Sequence, residues 1–173
     1  MSPQDLKAYI KDVPDFPKPG IVFKDITPLL AEPAALGHAI DRFAELSAPL
    51  EPAAVVGIES RGFIFAAMLA QRCRLPLHLV RKRGKLPRAT VSVRYELEYG
   101  FDHLEMHADA IVRGGRYLIV DDVIATGGTA AATAELVERQ GGVVAALVFL
   151  IELDFLNGRQ SLQGRKVISL LHY

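Results

Sequence analysis

The run Tyr117-Leu-Ile-Val-Asp-Asp-Val-Ile-Ala-Thr-Gly-Gly-Thr-Ala130 decides the fold. Tyr117–Val120 is apolar along its length, as a strand covered on both faces must be. It ends in two carboxylates, Asp121 and Asp122, and the loop Ala125-Thr126-Gly127-Gly128-Thr129 then opens an alanine-rich helix reaching Arg139. Strand, loop and helix make one half of a parallel βα repeat, and open sheets of that kind bind ligands at the carboxyl ends of their strands. The glycines let the backbone close on a ligand. Thr126 and Thr129 supply hydroxyl donors, and free N–H groups at a helix start suit a phosphate dianion. No Gly-Lys-Ser/Thr follows, so the loop is not a Walker A motif, nor is it the dinucleotide G-x-G-x-x-G. Two acids before such a loop would repel a nucleotide diphosphate by itself. They fit ribose hydroxyls, a Mg2+ ion or a developing positive charge, and the pattern leaves these open.

Outward from this segment the same alternation continues. Ala53–Ile58, Leu77–Val80, Val143–Ile151 and Val167–Leu171 read as strands, and Gly62–Arg72 as a helix. Thr90–Glu98 and His103–His107 alternate in polarity about Tyr99-Gly100-Phe101-Asp102, which predicts a β-hairpin. Its His103, Glu105 and His107 share one face, and we expect that face to be solvated. Near the N-terminus, Ser2 caps a short helix with Pro3 at its first position, ending before Val13-Pro14. Phe16–Gly20 is a stiff turn rich in proline, Ile21–Phe23 is extended, and Pro33 opens a longer helix with Leu36, Ile40, Phe43 and Leu46 on one face. The fold class expected is α/β: a doubly wound, mainly parallel sheet flanked by helices, one domain over residues 1–173.

Composition narrows the function. The chain has 20 Lys+Arg and 20 Asp+Glu, so its net charge is zero, and half its residues are apolar. Bulk electrostatic binding of nucleic acid needs a basic excess that is missing here. Cys73 is the single cysteine, which excludes an intramolecular disulfide and a thiolate metal cluster. The longest apolar run, Val143–Ile151, is far shorter than the roughly 20 residues of a membrane helix. No signal peptide is read in the first eleven residues, and the expected location is the cytoplasm. Neutrality conceals segregation, however. Arg81, Lys82, Arg83, Lys85 and Arg88 form an acid-free basic run, followed by the acids Glu96, Glu98, Asp102, Glu105 and Asp109.

The Val120–Thr129 block resembles the 5-phosphoribosyl-1-pyrophosphate (PRPP) signature of the type I phosphoribosyltransferases. Four further blocks, in order along the chain, are similar to the adenine-specific branch of that family: Phe16–Leu30, Gly57-Ile-Glu-Ser-Arg-Gly-Phe63, Arg81-Lys-Arg-Gly-Lys-Leu-Pro87 and Tyr95-Glu-Leu-Glu-Tyr-Gly100. The resemblance implies a type I phosphoribosyltransferase fold with an N-terminal hood over residues 1–32 and a lid hairpin over 81–108. The implied reaction is purine salvage, adenine + PRPP → AMP + pyrophosphate, through an oxocarbenium-like transition state. Mg2+ is implied as cofactor, carried mainly on PRPP with no direct protein ligand. Ala125, Thr126, Gly127, Gly128 and Thr129 would cradle the 5′-phosphate, with Asp121 and Asp122 beside the ribose. Ser60 and Arg61 would meet pyrophosphate from a loop the family often holds with a cis peptide bond, and Arg81 and Lys85 would meet it from the basic run. Phe23 would stack on adenine while the backbone of Val22 and Lys24 reads its exocyclic amine side. Glu98 and Tyr99, at the lid tip, would be catalytic, Glu98 as general acid/base. A homodimer is implied, with no nucleic-acid or membrane partner.

Two other functions share the fold: transfer to another base such as xanthine or orotate, and a PRPP-sensing regulator without catalysis. The Phe16–Leu30 block favours adenine, and the chain has no room for a DNA-binding module beside a full domain. The family commonly has glycine where this chain has Ala66, and Arg-Glu where it has Arg88-Ala89. Residues from Asp154 onward match only loosely and suggest no role.

Overall fold

Strand β3 (Ala54–Ile58) is buried at all five positions. It runs parallel to β4 (Leu77–Lys82) on one side and β7 (Arg116–Ile124) on the other. Strands β8 (Val143–Glu152) and β9 (Val167–His172) continue the parallel sheet beyond β7. On the opposite side the antiparallel hairpin of β5 (Thr90–Glu96) and β6 (Phe101–His107) joins β4, giving the seven-stranded order β5-β6-β4-β3-β7-β8-β9. The structure is a computed structural model and describes residues 2–96 and 100–173. Its mainly parallel, helix-flanked sheet is the architecture the sequence predicts.

Side chains leave successive strand positions on opposite faces, and each face has its own core. Leu118 and Val120 of β7 pack with Phe43 of α3 (Pro33–Ser47) and Phe65 and Leu69 of α4 (Gly62–Cys73). Tyr117 and Ile119 pack with Leu136 and Val137 of α5 (Gly128–Arg139), and with Val93 and Leu104 of the hairpin. Residues 2–32 contain α1 (Pro3–Lys7), a two-stranded ribbon of β1 (Lys11–Pro14) and β2 (Val22–Asp25), and α2 (Thr27–Leu30). Leu6, Ile26 and Leu29 anchor this segment in the α3–α4 core. No helix among the described residues is long and apolar enough to cross a membrane.

Three expectations need correction. Strand β7 does not stop at Val120: it continues to Ile124, because β8 keeps pairing alongside it at Asp121↔Phe149, Val123↔Ile151 and Ile124↔Glu152. Asp121 and Asp122 are therefore strand residues. The helix expected to end before Val13-Pro14 ends early, at Lys7, and a strand follows: Val13 and Pro14 pair with Phe23 and Val22 in the ribbon, which lets the stiff Phe16–Gly20 turn close a hairpin. The expected solvated face of His103, Glu105 and His107 fails at Glu105, which is buried and accepts the Gly84 N–H at 3.0 Å. The cause lies in its neighbours: Glu105 sits between Arg81 of β4 and Ser92 of β5, and the turn at Gly84 engages its side chain.

Gly57 and Ala66 are matched across the β3–α4 interface. A Cβ on Gly57 would lie 2.7 Å from the Ala66 Cβ and 3.3 Å from Phe63. Neither backbone can yield without shifting strand against helix. We expect Gly57→Ala to destabilise the protein by about 1–3 kcal/mol, the usual cost of overpacking. Adding Ala66→Gly to that variant should restore most of the loss, read from melting temperatures of the two variants.

Candidate active site

The phosphate loop is shaped by backbone contact. Gly127 caps α5 with φ +83°, a conformation that glycine adopts without steric cost. A Cβ on Gly127 would fall 2.3 Å from the Gly158 carbonyl oxygen, and one on Gly158 would fall 2.3 Å from that of Ala125. The 3₁₀ turn Gly158–Leu162 thus locks against the loop, and Ser161 Oγ donates to the Thr126 carbonyl at 2.7 Å. Asp121, Ala125, Thr126, Gly127, Gly128 and Thr129 line a cavity of about 100 Å³. From the hairpin side, the Tyr95 ring comes within 4.0 Å of where a Cβ on Gly128 would stand.

Beside this loop, β3 delivers Glu59, Ser60 and Arg61 to the same end of the sheet, with the Glu59–Ser60 peptide bond cis. Gly62 begins α4 where a Cβ would lie 2.6 Å from Asp121 Oδ1, so only a bare backbone admits that carboxylate. Arg61 reaches across to β7, its Nε 2.6 Å from Oδ2 of Asp122, whose side chain is 6% exposed. The Arg61 guanidinium also lies 5.0 Å from the ring centre of Phe23, which meets Phe16 edge-on at 5.2 Å. Burial first, and the neighbouring Asp122 charge second, push Asp121 well above the usual carboxylate range.

Val22 is exposed and Phe23 is half-buried on β2. Only β1 pairs with β2 among the described residues, so its other edge carries main-chain groups not taken by a strand. The Lys24 ammonium is held by Asp12 at 2.6 Å and lies over the Tyr173 ring, leaving that residue's backbone as the group nearest a ligand role.

Folding brings an acid into the basic run. Arg81 and Lys85 are drawn together by Glu59, through Lys85 Nζ at 2.6 Å and Arg81 Nε at 3.3 Å, and the Lys82 N–H adds a third bond at 2.9 Å. Arg88 pairs with Asp109 away from this cluster. Burial would raise the Glu59 pKa, but the bonds from Lys85, the Lys82 N–H and Arg81 outweigh it and bring it to about 2. Glu98 and Tyr99 lie outside the described residues.

Three contributors escaped the sequence reading. Glu59 was visible as an acid at the end of a buried strand, but nothing in the chain ties it to a cluster more than twenty residues away. Gly158 and Ser161 act through shape, which no local motif records. Glu152, Asp154 and His172 also gather closely enough to suit a metal, yet Arg159 occupies both oxygens of Glu152, at 2.6 and 2.7 Å.

Residues 25–165 match the model of the phosphoribosyl transferase domain. An adenine phosphoribosyltransferase of Carboxydothermus hydrogenoformans is 56% identical over 169 residues, covering 98% of this chain and 99% of that protein. The chain belongs to the adenine phosphoribosyltransferases. Among solved structures of the family, that from Thermoanaerobacter pseudethanolicus superposes with a TM-score of 0.97 at 47% identity, covering 99% of this chain and 100% of that one. The Saccharomyces cerevisiae enzyme, complexed with an imino-altritol bisphosphate and adenine, superposes with a TM-score of 0.93 at 41% identity, over 98% of both chains.

The Glu59 cluster has a pH signature. Its folded pKa lies below the ordinary 4.5, so its contribution is complete above that pH and is lost as pH falls toward 2. The depression corresponds to about 3 kcal/mol at 1.36 kcal/mol per unit. Because Arg81 and Lys85 are partly exposed, salt should reduce this to about 1–2 kcal/mol. We expect the stability difference between the native protein and Glu59→Gln to shrink steadily from pH 5 to pH 2 in denaturant titrations.

Proposed function

We propose that this protein transfers the 5-phosphoribosyl group of PRPP to adenine, releasing pyrophosphate and AMP. The observation that carries the proposal is the convergence of Asp122, Arg61 and Phe23 next to the Ala125–Thr129 loop. One chain of contacts thereby joins a ribose-facing acid, a pyrophosphate-facing cation and a base-stacking ring. The yeast relative's complex with adenine and a bisphosphate supports the same occupants. It also favours adenine over xanthine or orotate, and an enzyme over a PRPP-sensing regulator.

In this reading the loop N–H groups and the hydroxyls of Thr126 and Thr129 fix the 5′-phosphate at the start of α5. Asp121 and Asp122 face the ribose, and the carboxylate of Asp122 stabilises the positive sugar of the transition state. Ser60, Arg61, Arg81 and Lys85 receive pyrophosphate as the glycosidic bond breaks, Arg61 through its planar fork. Phe23 stacks on the base and the main chain of Val22 and Lys24 selects its amine edge. Glu98 exchanges a proton at purine N7 while N9 bonds the sugar, and Tyr99 is assigned to the same catalytic pair.

Mg2+ suits this oxygen-rich site, since it prefers carboxylate and phosphate oxygens and keeps part of its water shell. PRPP oxygens would hold it, with Asp121 and Asp122 as the adjacent carboxylates, and when bound it neutralises the pyrophosphate leaving group. The residue 1–32 segment serves as hood and the residue 81–108 segment as lid, closing to exclude water. The working form is a cytoplasmic homodimer, which sedimentation should report as twice the 18.9 kDa chain mass.

Incubation with Mg2+, PRPP and each labelled base should release pyrophosphate with adenine; turnover of another base instead would overturn the substrate assignment. Glu98→Gln should lower kcat by about 10²–10⁴-fold, the range for loss of a general acid/base, with little change in PRPP affinity. Limited proteolysis within residues 81–102 should slow when Mg2+ and PRPP are present, and equal cutting rates would remove the lid from the mechanism.

A further inference from the structure

The cations assigned to pyrophosphate are already engaged by carboxylates of the site. Arg61 is held by Asp122. Arg81 and Lys85 converge on Glu59, and Arg81 Nη1 also donates to the Lys85 carbonyl at 3.3 Å. The exposure of the partners is uneven. The Glu59 side chain is 10% exposed, against 32% for Arg81 and 48% for Lys85. Glu59 is fixed from below by the Lys82 N–H and by its place after β3. It is therefore a largely buried, backbone-bonded anion beside two cations that are more exposed to solvent. Nothing in the transfer chemistry described above uses Glu59.

A carboxylate presents two oxygens much as a phosphate edge does, and Arg and Lys recognise both through charge-assisted bonds. Pyrophosphate and Glu59 must therefore share the same donors. We propose that Glu59 is a resident counter-anion that competes with pyrophosphate for Arg81 and Lys85 and speeds its release by recapturing them. The inference rests on the assignment of Arg81 and Lys85 to pyrophosphate. Its physical sense is that a departing polyanion leaves no bare cations behind. The same competition weakens PRPP and pyrophosphate alike, which favours turnover wherever product release limits the rate.

Glu59→Gln tests this directly, because it removes the charge and keeps a carbonyl acceptor for the Lys82 N–H. Titration calorimetry with Mg2+-pyrophosphate should show binding about fivefold tighter, the size of a partly exposed charged pair. KM for PRPP and kcat should fall together, and product inhibition by pyrophosphate should tighten. Glu59→Asp keeps the charge at shorter reach, so it should shift binding in the same direction by less, and it carries the test if the glutamine variant does not fold. Unchanged or weaker pyrophosphate binding in the folded variants would overturn the proposal, since Glu59 would then merely position its cations. A separate failure is also visible. If the native protein binds pyrophosphate no better than Lys85→Met does, the assignment of the basic run falls, and the proposal with it.

Discussion

A carboxylate buried at the head of a central strand is unstable by itself, and the site is arranged around that fact. Asp122 cannot remain in the sheet as an anion without a cation at close range, and Arg61 is the cation in contact with it. Arg61 can be there only because β3 ends beside β7 and Gly62 leaves room for Asp121. Once there, its guanidinium gives Phe23 a flat partner and so ties the N-terminal ribbon to the sheet. Two strands, a helix start and the N-terminal segment thus meet at one ion pair.

Much of this was legible in the chain. The Tyr117–Ala130 run, the apolar strands and the hairpin alternation are local patterns, and local patterns survive folding when packing agrees with them. What the sequence obscured depended on partners distant along the chain. The extension of β7 through two aspartates required β8 beside it. The burial of Glu105 depended on Gly84, distant along the chain, and its alternation in isolation resembled an exposed face. Residues 154–162 carry neither period nor motif, because Gly158 and Ser161 contribute an absent side chain and a single hydroxyl. The five cations from Arg81 to Arg88 were conspicuous, whereas the glutamate that organises two of them was one acid among many.

The zero net charge acquires a structural meaning from these pairings. Arg61 with Asp122, Arg81 and Lys85 with Glu59, and Arg159 with Glu152 place opposite charges in contact at the carboxyl end of the sheet. Such a site is polar yet locally balanced. A polyanionic ligand must exchange partners with these pairs to bind.

The interlock of Gly127 with Gly158 has a consequence for how the protein comes into being. Chains emerge from the ribosome in order and fold as their partners appear. Strands β3, β4 and β7 can pair, and α5 can dock, while residues beyond 150 are still being added. The phosphate loop cannot take its shape until the turn that contains Gly158 and Ser161 is available to press against it. A nascent chain therefore has most of its sheet well before it has a binding site, and capture of the phosphorylated sugar waits for some thirty residues of synthesis after the loop itself.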